Sequence, residues 1–143
     1  MEINIRHRQF TVEPGQNAAA WAHINQGTWE PDTFDMLDRF VQPGDVVLDL
    51  GSWSGVISLY IADKASRVFA VDPDPVCFAE LTTNIARNPD VAQKVKALQV
   101  AVSDQQETLH LSARAQYGQS SSSILQRARD AERSHALTTL PLA

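Results

Sequence analysis

The stretch VVLDLGSWSG, residues 46–55, decides the fold of this chain. Its first five residues are apolar apart from Asp49 and begin with two β-branched valines, a pattern typical of a buried parallel strand. Gly51 and Gly55 then form a glycine turn, and an apolar helical face follows it. A strand that leads through such a turn into a helix predicts a ligand site, because open α/β sheets bind ligands at the carboxyl ends of their strands.

The sequence on both sides repeats this alternation. Two further apolar stretches, residues 67–72 and 95–102, predict buried strands. Helices are predicted over residues 17–28, 31–41, 56–62 and 73–88, the last three from apolar residues that recur along one helical face. The order helix, strand, helix, strand, helix, strand predicts βαβ units with right-handed crossovers and a parallel sheet.

The remaining segments carry weaker patterns. Residues 1–20 predict a short hairpin or an extended arm, and residues 108–111 predict an additional antiparallel strand. Residues 118–123 are rich in Gln and Ser and predict a loop, while residues 124–135 predict a short helix. These patterns divide the chain into an N-terminal helical cap or arm over 1–45 and a partial Rossmann-like cofactor-binding domain over 46–143.

Composition limits the class of protein. The chain has 143 residues, of which 43% are hydrophobic and 20% are charged, with a formal net charge of −5. This acidic balance argues mildly against a dedicated nucleic-acid binder. The single cysteine, Cys77, excludes an internal disulfide and suits a reducing, cytoplasmic location. There is neither a secretory signal in residues 1–10 nor an apolar run long enough to span a membrane.

The glycine turn favours a cofactor without phosphates. A dinucleotide site requires glycine at the first, third and sixth positions of the turn, which are Gly51, Trp53 and Val56 here. No Gly-Lys-Ser/Thr ending is present for a P-loop. Asp72 follows the second strand at the separation expected of a carboxylate that accepts from ribose hydroxyls. The alternative is that Asp72 only caps the helix that Pro73 opens.

These motifs resemble those of class I S-adenosylmethionine-dependent methyltransferases and, more narrowly, of the FkbM family. The glycine turn resembles their motif I. The narrower resemblance rests on an ordered set of matches: GTWEP at 27–31, the turn at 46–55, AVDPDP at 70–75, and AVSD at 101–104 followed by GQSSSS at 118–123.

The resemblance implies S-adenosylmethionine as cofactor and a role for each matching residue. The methionine end would be lined by the turn, the ribose held by the acid after the second strand, and the adenine bordered by residues after the second and third strands. The residues implied at the methionine end are Gly51, Ser52, Trp53 and Gly55, and the residue implied at the ribose is Asp72. The residues implied around adenine are Pro73, Asp74, Ser103 and Asp104. Glu30 matches an acid near the cofactor amino group, or is simply a charge at a helix start.

The resemblance also implies more sheet than this sequence contains. The complete family sheet has seven strands, whereas only the first three core strands and an added hairpin are identifiable here. We therefore expect an α/β, Rossmann-like class I methyltransferase sheet that is truncated. Its first strand, residues 46–51, would lie at an edge, and a second copy of the chain would be one way to cover it.

The function that follows from the resemblance is methyl transfer, with O-methylation of a small-molecule or sugar hydroxyl as the expected reaction. The expected partner is a small-molecule acceptor, with no nucleic acid, membrane or metal. No catalytic base is predicted, because the four histidines lack metal-site or triad spacing. Two alternatives stay open: a truncated cofactor-binding remnant without catalysis, and a non-catalytic Rossmann-like interaction module.

Overall fold

The computed structural model describes residues 1–112, 116–118 and 134–141. The strands are β1 Glu2–Ile5, β2 Arg8–Thr11, β3 Val46–Leu50, β4 Arg67–Val71, β5 Val95–Leu98, β6 Ala101–Ser103, β7 Thr108–Ser112 and β8 Ser134–Pro141. The α-helices are α1 Ala18–Asn25, α2 Pro31–Phe40, α3 Val56–Ala62, α4 Pro75–Ala86 and α5 Pro89–Ala92, and a short 3-10 helix covers Gly15–Asn17. None of the helices in these ranges is long and apolar enough to cross a membrane.

A parallel sheet in the order β3-β4-β5 positions the glycine turn. Each of the two pairs is parallel, and β3 and β4 are in register from Val46 opposite Arg67 to Leu50 opposite Val71. α3 connects β3 to β4, and α4 with α5 connects β4 to β5, which confirms the expected βαβ alternation. The structure is therefore an α/β sheet of the Rossmann-like type.

The expected third strand over 95–102 is two strands in the structure. β5 pairs with β4 only as far as Leu98, which lies opposite Val71. The N–H of Asp72, the first residue after β4, still donates to the carbonyl of Leu98 at 3.2 Å, and the pairing of β5 with this sheet ends there. After this break, β6 joins a second sheet in the order β6-β8-β7, parallel to β8.

The second sheet tests two further expectations. The additional strand predicted at 108–111 is confirmed as β7, which pairs with β8 in antiparallel orientation. Most of the helix predicted at 124–135 lies outside the described residues, and its last two positions belong to β8. Of the loop predicted at 118–123, only Gly118 is described.

The first strand lies at an edge of its sheet, as expected from the sequence. β3 pairs with β4 on one side only among the described residues. Val46, Leu48 and Leu50 are 66%, 48% and 50% exposed. Since side chains alternate along a strand, these three share one face of the sheet.

The N-terminal hairpin is fastened to α4 by two asparagines one helical turn apart. Asn88 accepts from the backbone N–H of Thr11 at 2.9 Å and donates to its carbonyl at 2.8 Å. Asn84 accepts from the N–H of Glu13 at 2.7 Å and donates to the carbonyl of Ser54, in the glycine turn, at 2.9 Å. The two side chains thereby satisfy backbone groups that a neighbouring strand would otherwise pair.

One hydrophobic cluster contains residues from both sides of the predicted domain boundary at residue 45. It includes Ile3, Phe10 and Trp21 together with Leu59 and Val68, all fully or almost fully buried. The hairpin and α1 therefore share a core with the parallel sheet. The division into 1–45 and 46–143 stays a prediction.

Asn84 should contribute strongly to stability because it is fully buried and joins three segments. We expect Asn84→Ala to lower the free energy of unfolding by about 2 kcal/mol or more, since it leaves two backbone groups without a partner. Asn25→Ala is the control: Asn25 also accepts from a backbone N–H, that of Asn4, but at an exposed site. Its cost should be about 0.5 kcal/mol. Urea unfolding measures both, and equal losses would contradict this account of the hairpin.

Candidate functional site

The carboxylate of Asp72 joins the glycine turn to the end of β4. The N–H of Trp53 donates to its Oδ2 at 2.8 Å, and the N–H of Asp74 donates to its Oδ1 at 2.9 Å. Gly51 and Ser52 support the same junction, because both donate their N–H groups to the carbonyl of Val71, at 2.8 and 3.1 Å. An ionised carboxylate has about four acceptor positions, so two remain for a ligand.

Asp74, and not Asp72, caps α4. The Oδ1 atom of Asp74 accepts from the N–H groups of Val76 and Cys77 at 2.9 and 3.2 Å. Two N–H groups at the start of a helix lack partners within it, so this arrangement is an N-cap. Asp74 therefore occupies the N-cap position that the alternative interpretation gave to Asp72.

The two glycines of the turn have different surroundings. Both have a positive φ, 76° at Gly51 and 94° at Gly55. A Cβ atom at Gly55 would lie 2.8 Å from Cδ1 of Leu81, so this glycine allows α4 to approach the turn. A Cβ atom at Gly51 would have no neighbour within 4 Å. The backbone of Gly51 therefore faces open space at the carboxyl end of β3, where a ligand would approach it.

The side chain of Trp53 is held from two sides. Its ring stacks on that of Trp21 with 6.4 Å between centroids and 11° between planes. Its Nε1 donates to the carbonyl of Gly118 at 3.1 Å. These contacts hold a residue whose backbone has a φ of 48°, a conformation that costs a non-glycine residue roughly 1 kcal/mol or more.

Ser52 lies in the turn with its hydroxyl unsatisfied. Its Oγ is buried and has no hydrogen-bond partner among the described residues, and the same holds for the Oγ of Ser54. A buried hydroxyl without a partner costs about 1–3 kcal/mol. With the open space at Gly51 and the two free acceptor positions of Asp72, the residues of the turn fit a ligand that carries amino, carboxylate and ribose groups.

Asp49 is a half-buried acid beside the glycine turn that the sequence reasoning did not include. The hydroxyl of Ser58, in α3, donates to its Oδ2 at 2.5 Å. Burial raises the pKa of Asp49, although the hydrogen bonds from Ser58 oppose the shift. Burial also raises the pKa of Asp72, and the negative charges of Asp74 and Asp49 raise it further. An acid within the apolar strand of residues 46–50 was the available signal for Asp49.

The remaining predicted site residues lie further from this junction along the chain. Glu30 is exposed at the start of α2 and accepts from the hydroxyl of Thr33 at 3.1 Å. Ser103 ends β6, and its hydroxyl contacts the carboxylates of Asp104 and Glu107 at 3.1 and 3.2 Å. The roles of Glu30, Ser103 and Asp104 at a cofactor stay predictions. No cluster of metal-ligating side chains occurs in residues 1–112, 116–118 and 134–141.

Comparison with known proteins assigns the chain to a class of enzymes. The family model described as ribosomal protein L11 methyltransferase (PrmA) matches residues 31–116. The matched segment includes β3 to β5, the glycine turn and Asp72. The chain therefore belongs to the ribosomal protein L11 methyltransferase family, and the expected class of methyltransferase is confirmed. The narrower resemblance to the FkbM family stays a prediction.

Individual relatives agree with this assignment. The chain is 43% identical over 54 residues to a ribosomal protein L11 methyltransferase of Chloroflexus aurantiacus, covering 37% of this chain and 16% of the relative. It is 43% identical over 60 residues to that of Bacillus subtilis, covering 40% and 19%. The chain thus matches about a fifth of the length of these relatives.

Among solved structures, a proposed rRNA-methylase from Clostridium thermocellum is similar to this chain. The TM-score is 0.45 and the sequence identity 22%, over 48% of this chain and 38% of that one.

These comparisons correct the expected partners. The expectation of a small-molecule acceptor, with no nucleic acid, is wrong, because the matching family and its relatives are named for methylation of a ribosomal protein. The error has a physical origin. The motifs at residues 46–55 and 70–75 were interpreted through the cofactor that they would bind, and that cofactor is the same whatever the acceptor.

The raised pKa of Asp49 predicts a pH-dependent effect of Asp49→Asn. Between 3.8, the ordinary value, and the raised pKa, the folded protein holds a proton that the unfolded chain has released. The wild-type free energy of unfolding therefore falls as pH rises through this window. The variant cannot ionise at this position, so its stability relative to wild type should increase from about pH 4 to about pH 7.

Thermal or urea unfolding across this pH range measures the difference. Asp32→Asn is the control, because it removes one negative charge at an exposed position of α2. A difference for Asp49→Asn that shrinks as pH rises would show that the ionised carboxylate is the stabilised form.

Proposed function

We propose that this chain binds S-adenosylmethionine at the glycine turn and supplies the cofactor site of a methyltransferase. The observation that carries the proposal is that the Asp72 carboxylate and the open backbone at Gly51 lie together at the carboxyl ends of two adjacent parallel strands. The N–H of Trp53, two residues after Gly51, donates to Asp72. The ribose hydroxyls would donate to Asp72. The methionine end would lie over Gly51 and Ser52.

The charge of the site favours this cofactor over a nucleotide with a pyrophosphate. Asp49, Asp72 and Asp74 lie close enough together for the charges of Asp49 and Asp74 to raise the pKa of Asp72. A cluster of this kind attracts a cation and repels a phosphate. S-adenosylmethionine carries a positive sulfonium and supplies a methyl group already attached to a good leaving group. The protein mainly has to bind it and orient it toward the acceptor.

We propose a component of the ribosome as the acceptor, with a ribosomal protein as the first candidate. Membership in a family named for methylation of ribosomal protein L11 supports this choice. A cytoplasmic location, suggested by the single buried Cys77, accords with such an acceptor.

Gly51→Ala tests the cofactor site, at a cost in backbone strain from the φ of 76° that a matched control can share. A Cβ atom meets nothing within 4 Å in the protein itself, but it would occupy the space over the turn. We expect the variant to remain folded and to bind S-adenosylhomocysteine at least tenfold more weakly, measured by isothermal titration calorimetry.

Gly44→Ala is the matched control, because Gly44 also has a positive φ, 98°, and open space around its Cβ position. It lies at the opposite end of β3, so it carries the same backbone cost without blocking the turn. Unchanged affinity in Gly51→Ala would rule out this turn as the cofactor site.

Transfer of a labelled methyl group tests the acceptor. The chain is incubated with S-adenosylmethionine labelled in the methyl group and with ribosomes from a strain lacking the L11 methyltransferase. We expect label in the protein fraction that survives ribonuclease and is lost on protease treatment. Label that ribonuclease removes would instead identify RNA as the acceptor. A chain that binds the cofactor and transfers nothing would be limited to cofactor binding.

A further inference from the structure

The backbone N–H and carbonyl of Gly118 are bound by side chains beside the glycine turn, which include those of Asp74, Trp53 and Asn17. Its N–H donates to Oδ2 of Asp74 at 2.9 Å. Its carbonyl accepts from Nε1 of Trp53 at 3.1 Å and from Nδ2 of Asn17 at 3.0 Å. Gly118 is buried, although it lies more than 40 residues beyond Asp74 along the chain.

The 3-10 helix near the N-terminus holds the same segment from outside. Gln16 donates through Nε2 to the carbonyl of Tyr117 at 2.6 Å and accepts through Oε1 from Nε2 of Gln116, also at 2.6 Å. Residues 116–118, the Gly118 segment, are thereby fastened by Gln16 and Asn17 on one side and by Trp53 and Asp74 on the other.

Two of these contacts coincide with the contacts of Asp72. The backbone N–H groups of Trp53 and Asp74 hold the two oxygens of the Asp72 carboxylate. The side chains of the same two residues bind Gly118: Asp74 accepts from its N–H, and Trp53 donates to its carbonyl. The Gly118 segment therefore bridges the two residues that flank the carboxylate, and only 6% of Asp72 is exposed.

We propose that the Gly118 segment is a gate over Asp72, which must open before the cofactor's ribose reaches the carboxylate. This inference rests on the proposed function. In the structure described here the gate is closed. A ligand that binds only the open form has its apparent affinity reduced by the fraction of molecules that are open. Gln16, remote from the cofactor residues, sets that fraction as a positioning residue.

The gate predicts that weakening the closed form speeds cofactor binding. Gln16→Glu replaces the donor to Tyr117 with a carboxylate oxygen while keeping the size of the side chain and the acceptor for Gln116. Losing a hydrogen bond of this kind should shift the closing equilibrium about fivefold or more. We expect the association rate constant of S-adenosylhomocysteine to rise about fivefold and its dissociation constant to fall, measured by stopped-flow tryptophan fluorescence.

Gly118→Ala opens the gate by a different route. A Cβ atom there would overlap Nε2 of Gln16 and would lie 2.6 Å from Cγ1 of Val76, on a backbone with a φ of 90°. The closed position is then blocked, so this variant should bind at least as fast as Gln16→Glu. Gln26→Ala, an exposed glutamine at the end of α1, is the control and should bind like wild type.

Amide hydrogen exchange at Gly118, followed by NMR, gives a second readout without ligand. Its N–H should exchange slowly in wild type and faster in Gln16→Glu. A merely structural role for Gln16 would weaken or leave unchanged the binding of the cofactor, whereas the gate requires it to become faster and tighter. If wild type binds and the association rate is the same in both variants, the gate is overturned and the proposed function stands. If no chain binds S-adenosylhomocysteine, the proposed function fails, and the gate with it.

Discussion

The buried carboxylate of Asp72 is the constraint on which the rest of this structure depends. A carboxylate out of water needs hydrogen bonds, and here two of them come from the backbone N–H groups of Trp53, in the glycine turn, and of Asp74, at the start of α4. Satisfying Asp72 therefore fixes the positions of Trp53 and Asp74. The left-handed backbone of Trp53, the cap of α4 and the grip on Gly118 are all consequences of where these two residues are held.

The support for this junction comes from behind α4. Asn84 connects the carbonyl of Ser54, in the glycine turn, with Glu13, just after β2. Asn88, four residues further along, binds Thr11 at the end of β2. On the other side of the turn, Trp21 of α1 provides the ring against which Trp53 stacks. The N-terminal hairpin and α1 thus contact the glycine turn from two sides, and they share one hydrophobic core with the βαβ units.

The parts of this fold that sequence patterns predicted are those that local chemistry decides. The strand at 46–50, its glycine turn and the helix beginning at Pro31 depend on composition and spacing within a few residues. The division of 95–102 into two strands depends instead on where the neighbouring β4 ends. The Gly118 contacts join residues about 40 to 100 positions apart, so no local pattern contains them. The acceptor was predicted wrongly for a related reason, since the motifs at 46–55 and 70–75 carry no residue pattern that distinguishes one methyl acceptor from another.

The acids beside the turn explain why this end of the sheet suits a cationic ligand. Asp72 is buried and Asp49 is half-buried, and the pKa values of both are raised, so the folded protein without ligand carries an electrostatic cost at neutral pH. Ser58 and the backbone N–H groups reduce that cost but leave it positive. A bound sulfonium would favour the ionised carboxylates and offset the rest, and any ligand that binds only the folded state also stabilises it. Burial of these acids therefore lowers the stability of the free protein and favours the binding of a cation. In the proposed gate, the Gly118 segment has to move away from Asp72 before the cation can bind.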